Sequence, residues 1–207
     1  MMSDRDSSEG FQFALPEMQS AGWLRCRLIE ESDVPRLFEA VTASQAHLRP
    51  WMPWAATDYT QEMAEELVAA QTRRGGELVT EAIYIPCNDE HPFLGCFGLH
   101  ARVGKGALEI GYWVDVRYTR RGVATLAAAL LTEAAFSVPG VDRVEIHHDE
   151  ANHASAGVPQ RLGYAIIGSC QREPEAPGEV GVERQWRMRG QDWPSSAGAQ
   201  LLAKARD

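Results

Sequence analysis

The sequence predicts a mixed α/β domain: a central, mostly antiparallel sheet flanked by helices. Three observations carry that expectation. Strand-like runs at 78–85, 93–100 and 107–116 follow one another with only turns such as Asn88-Asp89-Glu90 and Gly104-Lys105-Gly106 between them, which implies an antiparallel meander. From Gly122 the pattern changes to an Ala-rich helical run. Strand and helix then alternate, so the last helices act as crossovers between roughly parallel strands. The order β α α β β β α β α β β is not that of a doubly wound sheet.

Taken along the chain, residues 1–20 are rich in Ser, Asp, Glu and Gln and read as a flexible arm. Residues 21–193 read as one domain, and 194–207 as a tail that forms at most a frayed helix. The alternation of apolar and charged side chains at 23–28 suits a half-buried strand. Ser32 or Asp33 can cap the next helix, Pro35 is tolerated in its first turn, and Val34, Leu37, Phe38 and Val41 give it one apolar face. Arg49-Pro50 stops it. The segment 48–54 holds two Trp, two Pro and one Met, a rigid aromatic loop that reads either as a lid over a pocket or as a satellite of the core. A second helix at 60–72 carries Met63, Leu67 and Ala70 on one side and ends at Gly75-Gly76. Beyond the meander come a helix at 122–137 ended by Pro139-Gly140, a strand at 141–148, a helix at 152–162, a strand at 164–168, a broken acidic loop at 173–181 and a strand at 184–188.

Bulk composition narrows the function. The chain has 207 residues and a formal net charge of −9, so a basic face of the kind that displaces counterions from nucleic acid is not expected. An acidic field favours cationic substrates, although it also serves solubility alone. Four cysteines are scattered singly, without the spacing of a zinc site or a redox dithiol, and read as reduced thiols of a cytoplasmic protein. No secretory signal is visible, and the most apolar stretch, 123–136, is too short to span a bilayer.

The most informative segment is 109–125. A strand runs through a short turn directly into a helix whose first N–H groups lack intrahelical partners and point along the positive end of its dipole. Gly122 and Ala124 leave room for a ligand at the backbone, and Arg117, Arg120 and Arg121 add positive charge at that end. This suggests a pyrophosphate site, against the plainer reading of arginines that solvate a helix start. Gly104-Lys105-Gly106 is not a P-loop, since it lacks the spaced upstream Gly and the following Ser/Thr and lies between strands.

The run Tyr118-Thr119-Arg120-Arg121-Gly122-Val123-Ala124 resembles the acyl-CoA-binding signature of the GNAT acyltransferases. Arg143-Val144-Glu145-Ile146, Asn152-His153-Ala154-Ser155 and Arg161-Leu162-Gly163-Tyr164 follow in the order of the RimJ/RimL-like branch, and 48–54 is similar to that branch's aromatic loop. Thr119 departs from the usual Gln or Arg, and Arg120 from a common Gly. The resemblance implies a GNAT-like fold whose sheet splays at a cofactor cleft. It also implies transfer of an acetyl group from acetyl-CoA to a primary amine, such as a protein N-terminus, by direct attack in a ternary complex. Pantetheine would pair with the backbone of Trp113, Val114 and Val116. Pyrophosphate would meet Arg120, Arg121, Gly122, Val123, Ala124 and Thr125, while Asn152 would cap its helix or bond the pantetheine and Ser155 would contact the cofactor sulfur. A homodimer is admitted by the resemblance.

Acyl transfer to an amine needs a base for the ammonium, stabilisation of the oxyanion and an acid for the thiolate. Many members supply the acid from a Tyr seven residues after the motif Asn; here that position is Pro159, and the resemblance to the RimJ/RimL-like branch implies the motif Ser155 as substitute, with a first-turn helix hydroxyl as its alternative role. The candidate bases are Glu145 and His147, on one strand face, and Glu109 near the start of the cofactor strand, each with a structural role as its alternative. His147, His148 and Asp149 alternate across a strand and cannot jointly chelate an ion, so no metal is expected. The rival reading is a non-catalytic acyl-CoA-binding module. Binding to nucleic acid or membrane is not expected.

Overall fold

The computed structural model describes residues 11–18, 20–73 and 78–207. Ten strands and five helices occur among them: β1 (Phe13–Ala14), β2 (Ser20–Ala21), β3 (Leu24–Leu28), α1 (Val34–Leu48), α2 (Gln61–Thr72), β4 (Leu78–Val79), β5 (Glu81–Cys87), β6 (Gly95–His100), β7 (Ala107–Val114), α3 (Val123–Phe136), β8 (Arg143–Asp149), α4 (His153–Leu162), β9 (Ala165–Gln171), β10 (Val182–Arg189) and α5 (Ala197–Arg206). Eight strands form one sheet in the order β2-β3-β5-β6-β7-β8-β10-β9, while β1 and β4 pair separately. Every pairing in the large sheet is antiparallel except β7 with β8, which α3 connects as a crossover. The mixed sheet matches the fold class that the sequence predicts.

Each face of the sheet is covered differently. On one face Tyr84, Phe97, Leu99, Leu108, Ile110 and Ile146 pack with α3 in the larger core cluster. Ala127, Ala128 and Ala129 are fully buried there; their small side chains let the helix lie close on the sheet. On the other face α1 and α2 cover Ile83, Ile85 and Cys96 with Leu37, Val41 and Val68. The α2 side chains that become buried are Ala64 and Val68, so its buried face is turned from the one marked by Met63 and Ala70. The expected stop at Gly75-Gly76 lies outside the described residues.

Buried polar groups find local partners. Asp33, expected as a cap, is fully buried and takes a bidentate contact from Arg27 at 2.6 and 2.7 Å. The segment beyond 194 does not fray: Ser196 Oγ accepts from Ala199 N, Leu202 is buried, Gly198 lets the backbone approach Trp193, and Arg206 reaches Glu133 at 2.6 Å. At the other end Phe13 is buried and β1 is paired, while 1–10 lies outside the described residues. None of the four cysteines is in a disulfide, and Cys26, Cys87 and Cys96 are buried.

Candidate active site

The site begins where two strands part. β7 and β8 pair only at Ala107–Glu109 against Arg143–Glu145, although β7 continues to Val114 and β8 to Asp149. Each is held on its outer side, β7 by β6 and β8 by β10, so the inner edges diverge with backbone groups unclaimed. Asp115 N–H donates to Leu94 O at 3.0 Å. In an antiparallel ladder the bonded residues alternate, so Trp113 and Gly111 also turn their backbone toward β6, and Tyr112 and Val114 turn theirs into the gap. The backbone facing the gap is thus that of Tyr112 and Val114, while that of Trp113 is turned toward β6.

Val116, expected on the same strand, lies instead in a 3-10 turn, Val116–Tyr118. Its N–H donates to Ser44 Oγ of α1 at 2.9 Å and its carbonyl accepts from Thr119 Oγ1 at 3.0 Å. Arg117 is also withdrawn from the anion site. The fully buried Asp115 and the solvent-facing Glu39 each hold it at 2.6 Å, so it locks the end of β7 to α1.

Arg120, Arg121 and Gly122 remain exposed at the start of α3. Arg120 has φ +60° and Gly122, the N-cap, φ +83° with no side-chain cap on the helix. A Cβ on Gly122 would meet no protein atom within 4 Å. The first N–H groups of α3, at Val123, Ala124 and Thr125, therefore face open space along the positive end of a 14-residue helix. Arg121 lies over the Tyr118 ring at 5.5 Å, beside a hollow of about 230 Å³ lined by Trp23, His91 and Val123. A larger hollow, about 530 Å³, lies far from this turn against Leu15 and Glu133.

Across the gap, Asn152 caps α4, its Oδ1 accepting from Ser155 N at 3.1 Å. Ser155 is linked to the cofactor strand. The Tyr112 hydroxyl donates to Ser155 O at 3.0 Å and lies 3.1 Å from Ser155 Oγ. Burial pushes the Tyr112 hydroxyl well above its usual range, against the bond to Ser155, so it stays protonated as a donor. Tyr112 stacks on Phe97 at 5.3 Å. Sequence patterning missed this partner because Tyr112 reads as an ordinary strand aromatic. Pro159 is buried within α4, and the hydroxyl of Tyr164 is engaged with Thr132 at 2.6 Å.

The carboxylates expected as bases are bound in ion pairs. Glu109 accepts a bidentate contact from Arg102 at 2.6 and 2.8 Å. Glu145 is nearly fully buried and receives Arg187 at 2.7 Å, His147 at 2.8 Å and Arg143 at 3.5 Å. Burial alone would raise the Glu145 carboxyl, but His147 and Arg187 outweigh it and hold it below the usual range. His147 is likewise opposed by burial, yet Glu145 and Glu183 lift it to about 9. An imidazole already protonated at neutral pH cannot accept the proton of an ammonium, and these groups form a structural network on one face of β8 and β10. His148, on the other face, accepts Trp186 Nε1 at 2.9 Å and donates to Asp149 O; burial lowers it and keeps it neutral. Among the described residues no group of three or more His, Cys, Asp or Glu is placed to hold a metal ion.

Aromatic side chains line the gap on the α1/α2 side. Trp54, from the 48–54 loop, lies 6.2 Å from Trp113 and 5.8 Å from Tyr59, and Phe93 closes on Trp113 at 6.2 Å. The loop therefore stands over the cofactor strand, and the face it borders is the one opposite α3.

Comparison with known proteins places the sequence and the fold. The acetyltransferase (GNAT) domain model matches residues 24–165. A Bacillus subtilis (strain 168) protein named "Putative ribosomal N-acetyltransferase YdaF" is 28% identical over 151 residues, 70% of this chain and 79% of that protein. Mycobacterium smegmatis RimJ, solved with a CoA-disulfide, superposes with a TM-score of 0.76 at 22% identity, over 95% of this chain and 94% of that one. RimL, a ribosomal L7/L12 alpha-N-protein acetyltransferase solved with coenzyme A, gives 0.70 at 21% identity, over 84% and 96%. With a diverging strand pair, an uncapped helix start and a family match across most of its length, the chain belongs to the GNAT acetyltransferase family and is an acetyl-CoA-dependent N-acetyltransferase.

Proposed function

We propose that this enzyme acetylates the α-amine of a ribosomal protein. The observation that carries the proposal is its similarity to YdaF, together with the RimL and RimJ folds, since the names of YdaF and RimL specify ribosomal acceptors. The net charge of −9 supports a cationic acceptor, because an acidic field concentrates ammonium groups. An α-amine, with an ordinary pKa of about 8, gives up its proton near neutral pH far more readily than a lysine.

The donor's position follows from the groups left open. Arg120, Arg121, Gly122 and the N–H groups of Val123, Ala124 and Thr125 would take the pyrophosphate, and Val114 and Tyr112 would pair with the pantetheine amides. The thioester would then lie between Ser155, bound to Tyr112, and the aromatic wall of Trp54 and Trp113. Ser155 Oγ can protonate the departing thiolate, held in place by the Tyr112 hydroxyl 3.1 Å away. α3, α4 and the Tyr112–Ser155 contact cover one side, so the amine would arrive from the side of α1 and α2.

The test is incubation of purified ribosomal proteins with labelled acetyl-CoA and the enzyme, followed by mass spectrometry of their N-termini. Acetylation confined to the N-terminus of one or a few proteins is expected. Turnover with small amines while every ribosomal N-terminus stays unmodified would overturn the acceptor assignment.

A further inference from the structure

The sequence-derived bases are all engaged in ion pairs, and the reaction still requires one. Across the α1/α2 face of the sheet a single cross-strand row runs Glu81–His100–Glu109–Glu145. Glu109 and Glu145 are saturated by arginines, as described. His100 is not.

His100 Nδ1 lies 3.2 Å from Glu81 Oε2. Gln71 of α2 donates to the other oxygen of Glu81 at 2.8 Å and accepts from Ile83 N at 3.2 Å, which fixes the carboxylate from behind. A carboxylate at Nδ1 selects the tautomer with hydrogen on Nδ1 and leaves the lone pair on Nε2. Among the described residues nothing hydrogen-bonds Nε2.

The ring does not stand upright over its own strand. It lies along the sheet, over two glycines. A Cβ on Gly98 would fall 2.2 Å from His100 Nε2, and one on Gly111 would fall 3.3 Å from it. Gly111 is on β7 beyond its last residue paired with β8, so it belongs to the diverging segment. The next β7 residue on the same face is Trp113 of the aromatic wall. The absence of side chains at 98 and 111 thus makes the groove that carries Nε2 to the edge of the gap, on the side left open to the amine.

We propose that His100 is the general base of the acetyl transfer and that Glu81 is its positioning residue. This rests on the acetyltransferase activity and not on which protein is the acceptor. His100 Nε2, directly or through one water, takes a proton from the ammonium. The nitrogen lone pair forms the C–N bond at the thioester carbonyl carbon. Collapse breaks the C–S bond, the sulfur leaves with the electron pair, and the second nitrogen proton is delivered to it by way of Ser155. His100 then releases its proton to water. Among the described residues, the charged groups facing His100 are Glu81 from β5, Glu109 from β7, and Arg102, which follows β6 and holds Glu109; α2 presents the neutral Gln71.

The experiment compares wild type, H100Q, E81Q and G98A, each with an N-terminal ribosomal peptide and with a simple primary amine. For H100Q we expect a fall in kcat/KM of roughly a hundredfold, at the low end of what general bases contribute. Acetyl-CoA affinity by calorimetry should be unchanged, and the acidic limb of the pH profile should disappear. E81Q should lower kcat about tenfold, without altering KM for acetyl-CoA. G98A keeps the imidazole but expels it from the groove, so it should resemble H100Q, and combining the two should cost little more than either alone. H100Q activity within about threefold of wild type, with the acidic limb intact, would overturn the proposal. Loss of the peptide reaction alone in wild type would count against the ribosomal acceptor and leave the His100 test standing on the simple amine.

Discussion

The network around His147 makes a quantitative prediction that separates a structural imidazole from a catalytic one. His147 sits between Glu145 at 2.8 Å and Glu183 at 3.3 Å, largely out of solvent. Despite the opposing effect of burial, those carboxylates raise it from 6.5 to about 9, which corresponds to about 3 kcal/mol favouring the charged form in the folded state. A raised folded pKa contributes stability that is complete below pH 6.5 and lost as pH climbs through 9. At pH 7 most unfolded chains have already released this proton, which leaves about 2 to 3 kcal/mol. Nearly all of that should vanish by pH 10. For a chain of this size it amounts to a fall in Tm of roughly 5–10 °C. The assay is urea unfolding of wild type and H147Q at pH 7 and pH 10. Other groups also titrate over that range, so the difference between the two proteins is the quantity to read, and H147Q should lose less by about 2 to 3 kcal/mol. Equal losses in the two proteins would refute the argument that His147 is a buried, protonated strut.

Two further outcomes test the donor side. G122A puts an alanine at φ +83°, at a cost of roughly 1–2 kcal/mol, and adds a methyl where the helix N–H groups open to solvent; KM for acetyl-CoA should rise about tenfold, and an unchanged KM would count against the anion site. Y112F removes the hydroxyl that joins β7 to Ser155; kcat should fall about tenfold with acetyl-CoA affinity retained. Y112F and S155A should be clearly non-additive, since the two groups act as one unit, whereas simple additivity in the double variant would contradict the shared role.

What was readable in advance divides by the range of the interactions involved. The run Arg120 to Ala124 could be placed at a helix start because capping, dipole and glycine conformation are set within a few neighbouring residues. Arg117, three positions earlier, could not be separated from that cluster. Its withdrawal depends on Glu39, 78 residues away, and on Asp115 becoming buried. The α2 face was misjudged for a similar reason: which stripe of a weakly amphipathic helix is buried is decided by the sheet it meets.

The acidic residues teach the same lesson more sharply. Glu109 and Glu145 carry the right chemistry for a base, and nothing nearby in sequence reveals that Arg102, Arg143 and Arg187 will neutralise them. Arg187 reaches Glu145 through the β8–β10 register, across 42 positions. Nothing local marks His100, since it closes an apolar strand and its partner Glu81 opens another.

By itself the sequence determined the mixed sheet, the crossover helix and the glycine-led start of α3 in this acetyltransferase, since periodicity and backbone geometry are local properties. Only the tertiary structure decided which ionisable groups are occupied and which stay available. Ion pairing depends on cross-strand register and burial, and the groove over Gly98 and Gly111 exists only once β6 and β7 lie side by side.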